Sequence, residues 1–333
     1  MTLSGISCAL LPVAAAAIAA MLAAGDAPRQ SSARMIGLKD GLKVSLWPTP
    51  GPRGLISIMA PKVFPGSGRP RVNFIAIEPI VNGRRGYSEL EKGSDGKPGK
   101  RMWFSDCLMS GRSGKETFAN GTPGRVKSGA STAETLSIVV NVEPFENGAH
   151  PQVQVLFRAD RPDEVGFRVY AAPDSAPMDA CVLTATMGNY ARARLLYLKD
   201  EIVDSRKVWP SFQGDGFAEP EDYPLTRLHR ARDGTVTAFI TPSEKSLKDA
   251  PMPRGGWVFN GEVPTQYWRK YPGKAADALR VRVNGRRQYW KSQVDIPGGI
   301  AFENFEFIEP FRQGAESWFG VSLRTPRELG WQD

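Results

Sequence analysis

The side chains best suited to acid–base chemistry lie close together. Tyr223, Leu225, Arg227 and His229 alternate along the chain, so an extended strand would present all four on one face. Tyr and His can take up and return a proton, and Arg can neutralise a carboxylate beside the acidic carbon. Together they suit the elimination chemistry of a polysaccharide lyase acting on a uronate. Asp233-Gly234 then makes a tight turn into Thr235–Ile240, and the bland reading is the polar outer face of a hairpin. Carboxylates offer a rival chemistry. In Phe302–Glu309 the strand period places Glu303, Phe305, Phe307 and Glu309 on one face and Phe302, Asn304, Glu306 and Ile308 on the other. Glu303 and Glu306 therefore cannot form a same-strand pair. Glu306 beside Asn304 can be half of a glycoside hydrolase pair whose partner sits on another strand. Its ordinary alternative is an internal salt bridge with one of the many arginines.

Charge and aromatic surface point toward binding. Lys and Arg number 43 against 35 Asp and Glu, a net charge of +8. The basic residues cluster at Arg84-Arg85, Lys97–Arg101, Arg192/Arg194, Arg227–Arg232 and Arg286-Arg287, and Tyr87, Tyr267-Trp268 and Tyr289-Trp290 accompany them. Aromatic rings stack on the apolar faces of sugars, and Arg forks a carboxylate or sulfate. Arg227, Tyr267, Trp268 and Arg286 are accordingly the candidate substrate-binding residues. Neighbours on a strand point opposite ways, so one ring of each Tyr-Trp pair belongs to a core.

Several familiar chemistries fail on spacing. Gly114-Lys115 is followed by Glu116 where a phosphate loop needs Ser or Thr, and Gly66-Ser67-Gly68 is not a nucleophile elbow. HExxH and GxGxxG are absent. Two histidines, His150 and His229, and the scattered cysteines argue against an ordinary zinc centre. No cofactor is expected; a structural calcium held by carboxylates leaves no sequence signature.

The elements that must position these groups read as strands. Gly (34) and Pro (27) are in excess of average usage, which favours short elements joined by turns. Strand-length apolar runs recur at Leu42–Trp47, Leu55–Ala60, Val72–Val81, Leu136–Phe145, Val153–Phe157, Val165–Ala171, Val182–Thr186, Thr235–Ile240, Leu279–Val283, Phe302–Ile308 and Trp318–Leu323. Tyr190–Val203 fits helix or strand, and the strand reading is preferred. The expected fold is all-β, two β-sandwich or jelly-roll domains with few or no helices, at 41–165 and 166–333. Val81-Asn82-Gly83-Arg84-Arg85 recurs as Val283-Asn284-Gly285-Arg286-Arg287, and Asn-Gly favours a hairpin turn. Duplicated sandwiches or convergent turn chemistry would each produce the echo. A second echo follows Glu-Pro, with Gly83, Gly148 and Gly314 each four positions beyond the proline.

Residues 1–25 carry no charge, and Cys8–Ala24 is an almost unbroken apolar run ending in small residues, as in a secretory signal peptide. A retained anchor is the alternative. A polar spacer, 26–40, follows, and no later stretch is long and apolar enough to span a bilayer. Export leaves Cys107 and Cys181 to form a disulfide or to remain as two buried thiols. The sequence therefore predicts a secreted or periplasmic protein that meets an acidic polysaccharide rather than nucleic acid, cleaving it as a lyase or as a two-carboxylate glycoside hydrolase. The opposing class is a non-catalytic carbohydrate-binding or cell-surface assembly protein.

Overall fold

In a computed structural model, residues 35–46, 54–60, 71–89, 99–105, 124–128, 131–187, 192–243, 265–289 and 293–332 are described. They form two antiparallel sheets in an all-β sandwich. The smaller has eight strands, with β1 (Lys43–Leu46), β2 (Leu55–Met59), β3 (Arg71–Val81), β10 (Ala180–Thr186), β18 (Ala301–Ile308), β17 (Arg280–Arg286) and β13 (Glu221–Pro224) side by side in that order, and β4 (Arg84–Arg85) returning along β3. The larger has eleven. Its order is β12 (Ile202–Asp204), β11 (Ala193–Tyr197), β15 (Val236–Pro242), β16 (Thr265–Lys270), β19 (Ala315–Ser322), β9 (Glu164–Ala171), β8 (Pro151–Arg158), β7 (Ser131–Val142) and β5 (Met102–Ser105). Two further strands, β14 (His229–Arg230) on β15 and β6 (Gly124–Ser128) on β7, complete it. The Tyr190–Val203 stretch supplies β11 and β12, and the single turn of helix α1 (Ser205–Val208) follows.

Alternation decides which side chains enter the core. Ile75 and Ile77 of β3, Leu183 and Ala185 of β10, Phe305 and Phe307 of β18, and Val281 and Val283 of β17 point inward from the smaller sheet. Val140, Val153, Val155, Phe167, Ala238, Trp268 and Phe319 meet them from the larger sheet in one hydrophobic cluster. Burying each Val, Leu, Ile or Phe side chain among them contributes about 1.5–3 kcal/mol. Hydrogen bonds cross this core. Trp268 Nε1 donates to Phe305 O at 2.8 Å, and Asn73 Nδ2 donates to Gln266 Oε1 at 2.5 Å.

The expected boundary between 165 and 166 falls inside β9, and strands from either side of it pair in both sheets: β3 with β10, and β8 with β9. One cluster of core side chains draws on both halves. The NGRR echo separates into two conformations. Asn82 (φ 50°) and Gly83 (φ 71°) form the two-residue hairpin between β3 and β4. The second copy lies inside β17, with a register shift between Val283 and Gly285. There glycine serves packing: a Cβ at Gly285 would come within 2.8 Å of the Trp209 ring. Gly148 and Gly314 share the positive φ of Gly83, at 87° and 69°. The leader and spacer up to residue 34, Cys107 and Trp290 lie outside the described residues.

Candidate functional site

The outward face of the smaller sheet carries a row of polar side chains. Because Phe305 and Phe307 point inward, Glu306 points outward, opposite Thr184 of β10 on one side and Arg282 of β17 on the other. Asp222 of β13 is next in line, opposite Arg282. On β3 the same parity turns Glu78 outward. The β3–β4 hairpin sets Arg85 opposite Ile80, so its long side chain returns over this face. Arg85 Nη2 lies 2.7 Å from Glu306 Oε1 and is also ion-paired with Glu78 Oε2. Thr184 Oγ1 sits between the two carboxylates, 3.2 Å from Glu78 Oε2 and bonded to Glu306 Oε2. The side chains of both glutamates are 1% exposed and that of Arg85 20%, while Tyr87 is 41% exposed. Arg282 forks Asp222, with Nε to Oδ1 at 2.6 Å and Nη2 to Oδ2 at 2.8 Å.

Electrostatics follow from that packing. Burial works against the Arg85 charge, but the Glu78 and Glu306 carboxylates outweigh it and raise the guanidinium pKa above its ordinary value; the Tyr87 phenol is near enough to add to the effect. Asp222 also loses solvent, yet its bonds to Arg282 and the charge of Arg280 hold it below the usual carboxylate range.

The Tyr223–His229 stretch does not form one strand face. Residues 225–227 make a 3-10 turn, and the chain crosses from the smaller sheet to the larger between Tyr223 and His229. Period-two alternation holds only while a strand is continuous. Tyr223 pairs with Val281 and turns its ring into the core; burial, reinforced by Glu221, pushes its phenol up to about 12. Arg227 stacks 5.3 Å over that ring and is ion-paired with Glu201. His229 stands opposite Thr237, and Thr237 opposite Arg269, on the outward face of the larger sheet. Burial and then the Arg269 charge lower the His229 pKa.

Tyr267 and Trp268 occupy opposite faces of β16, and both are buried. Trp268 is core. Tyr267 donates to Glu164 Oε1 at 3.1 Å, Arg269 pairs with the same oxygen, and Tyr271 donates to Oε2 at 2.6 Å. Arg286 is buried at the end of β17, 3.2 Å from Asp215 O and 5.2 Å over the Phe217 ring. Cys181 is a free thiol whose pKa burial raises. It lines a cavity of about 40 Å³ between the sheets with Lys270, Glu309 and Trp268. That volume holds water rather than a sugar ring. Among the described residues, no group of three or more His, Cys, Asp or Glu is arranged to hold a metal ion.

Of the residues singled out by sequence, Glu306 therefore gains a carboxylate partner. The partner Glu78, with Arg85, Thr184, Arg282 and Asp222, had no local signal beyond strand parity, because the contacts join β3, β4, β10, β18, β17 and β13. The chain matches no family model, no curated protein and no solved structure.

Proposed function

We propose that this is an exported carbohydrate-active protein that acts on an acidic polysaccharide at the outward face of the smaller sheet, with Glu306 and Glu78 as its carboxylate pair. The observation that carries the reading is the convergence of these two glutamates on one Arg85 nitrogen, with the exposed Tyr87 two residues along the chain. Two oxygens bonded to one nitrogen are within the roughly 5–5.5 Å carboxyl separation of retaining glycoside hydrolases. Tyr87 offers a stacking face for a sugar, and Arg85 offers a guanidinium for its carboxylate. Hydrolysis would require Arg85 to leave the pair for the substrate. One glutamate would then serve as the acid and the other as the nucleophile.

The ion-paired resting arrangement favours a second reading, in which the same face binds glycan without cleaving it. The elimination chemistry has less support, since Tyr223 turns into the core and His229 stands on the other sheet. A panel of neutral and uronate polysaccharides separates the readings. Release of reducing ends, abolished by Glu306→Gln and by Glu78→Gln, supports the hydrolase. Uronate binding weakened by Tyr87→Ala, with no product, supports the binding protein. Products carrying a conjugated, unsaturated uronate would revive the lyase. Absence of binding and turnover across the panel would overturn the carbohydrate reading. Export is part of the proposal: mature protein from a secreting host should begin between Gly25 and Pro28.

A further inference from the structure

A second feature lies on the outward face of the larger sheet. Arg161 sits in the turn between β8 and β9, where its N–H donates to Arg158 O at 3.1 Å and its carbonyl accepts from Glu164 N at 3.1 Å. Its guanidinium carbon lies 3.5 Å from the centre of the Tyr271 ring and 5.1 Å from that of Trp318. Those two rings are themselves fixed edge to face at 5.9 Å and 85°. Each also has its polar end tied down: Tyr271 donates to Glu164 Oε2 at 2.6 Å, and Trp318 Nε1 donates to Glu316 Oε1 at 2.7 Å.

The carboxylates around Arg161 are taken by other cations. Asp160 is forked by Arg158 at 2.9 and 2.8 Å, Glu316 accepts from Arg168 at 2.8 Å, and Asp163 accepts from Ser322 at 3.1 Å with Arg324 beside it. Among the described residues the Arg161 guanidinium has aromatic contacts and no hydrogen bond or ion pair, and the residue is partly buried. Stacking uses the face of a guanidinium and leaves its in-plane N–H donors for another group.

We propose that Arg161, packed against the rings of Tyr271 and Trp318, is a receptor for a carboxylate, that of a uronic sugar. A guanidinium fork matches the two oxygens of a carboxylate, and a side chain already fixed by rings loses little freedom on binding. The receptor itself rests on the geometry of Arg161, Tyr271 and Trp318; assigning its carboxylate to a sugar rests on the glycan reading above. A receptor on the larger sheet would give the protein a second glycan contact, on the opposite side of the sandwich from Glu306.

The test is the side-chain Nε–H signal of Arg161 in ¹⁵N-labelled full-length protein, assigned by its loss in Arg161→Lys. Acetate, sulfate, an oligogalacturonate and a neutral oligosaccharide of equal length are titrated in turn. The expected result is a saturable shift with acetate and with the oligogalacturonate, and none with the neutral oligomer. The shift should persist in Tyr87→Ala/Glu306→Gln, so failure of the other site leaves it intact. In that background Arg161→Lys should weaken oligogalacturonate binding, measured calorimetrically, by about tenfold or more while melting at the parent temperature, because Lys keeps the charge but loses the fork. A shift with acetate and none with the oligomer would overturn the uronic-sugar assignment. Equal shifts with sulfate and acetate would overturn selectivity for a carboxylate, and no shift with either anion would overturn the receptor.

Discussion

Arg85 is held by two carboxylates, so removing one still leaves the guanidinium a partner. Glu306→Gln and Glu78→Gln should therefore each cost about 1–3 kcal/mol of stability, while the double substitution leaves a largely buried cation alone and should exceed their sum. Urea denaturation of the parent, the two single variants and the double variant measures the excess; strict additivity would mean the two glutamates act separately. His229 supplies the pH dependence at this scale. Burial and Arg269 lower its folded pKa, so below its unfolded value of about 6.5 the unfolded chain binds more protons than the folded one. Stability should thus fall as pH drops from about 6.5 toward the folded pKa, with no further His229 contribution below it. His229→Gln should flatten that segment of the stability–pH curve, as read by thermal melts between about pH 7 and pH 5.

The two Asn-Gly copies show how an element gives meaning to the same residues. Gly83 is needed for its positive φ of 71° at the hairpin tip that aims Arg85, and open space surrounds it. Gly285 sits in a bulged strand against the rings and methyls of Trp209 and Ile300. Gly83→Ala should cost about 1–2 kcal/mol, and Gly83→Asn much less, since Asn tolerates the left-handed region. Gly285→Ala and Gly285→Asn should both destabilise, Asn the more, because the obstacle there is volume. Denaturant midpoints of the four variants distinguish the two causes. Equal tolerance of Asn at both positions would contradict them.

Across the molecule, pairing joins segments far apart in sequence: β3 bonds to β10, β10 to β18, and β19 to β9. Fragments 41–165 and 166–333 would each expose unpaired strand edges and half of the shared core. Expressed separately, neither should show a cooperative thermal transition, whereas 35–333 should unfold in a single one. Calorimetry of the three chains checks this. A cooperative transition in either fragment would establish an independent domain there.

What the sequence by itself determined was class and local chemistry. The strand period in Phe302–Ile308 already puts Phe305 and Phe307 on the face opposite Glu306, because a strand's side chains alternate whatever it pairs with. Asn82-Gly83 likewise specifies a turn, since few residues adopt its angles. Tertiary structure alone decided who meets whom. Glu306 acquired Glu78 and Arg85 through three strands separated by about a hundred residues or more in the chain, and β-sheet register carries no short-range mark of that pairing. The Tyr223–His229 face dissolved for the converse reason: a three-residue turn carried its two ends into different sheets, and no periodicity within the stretch announces a change of sheet.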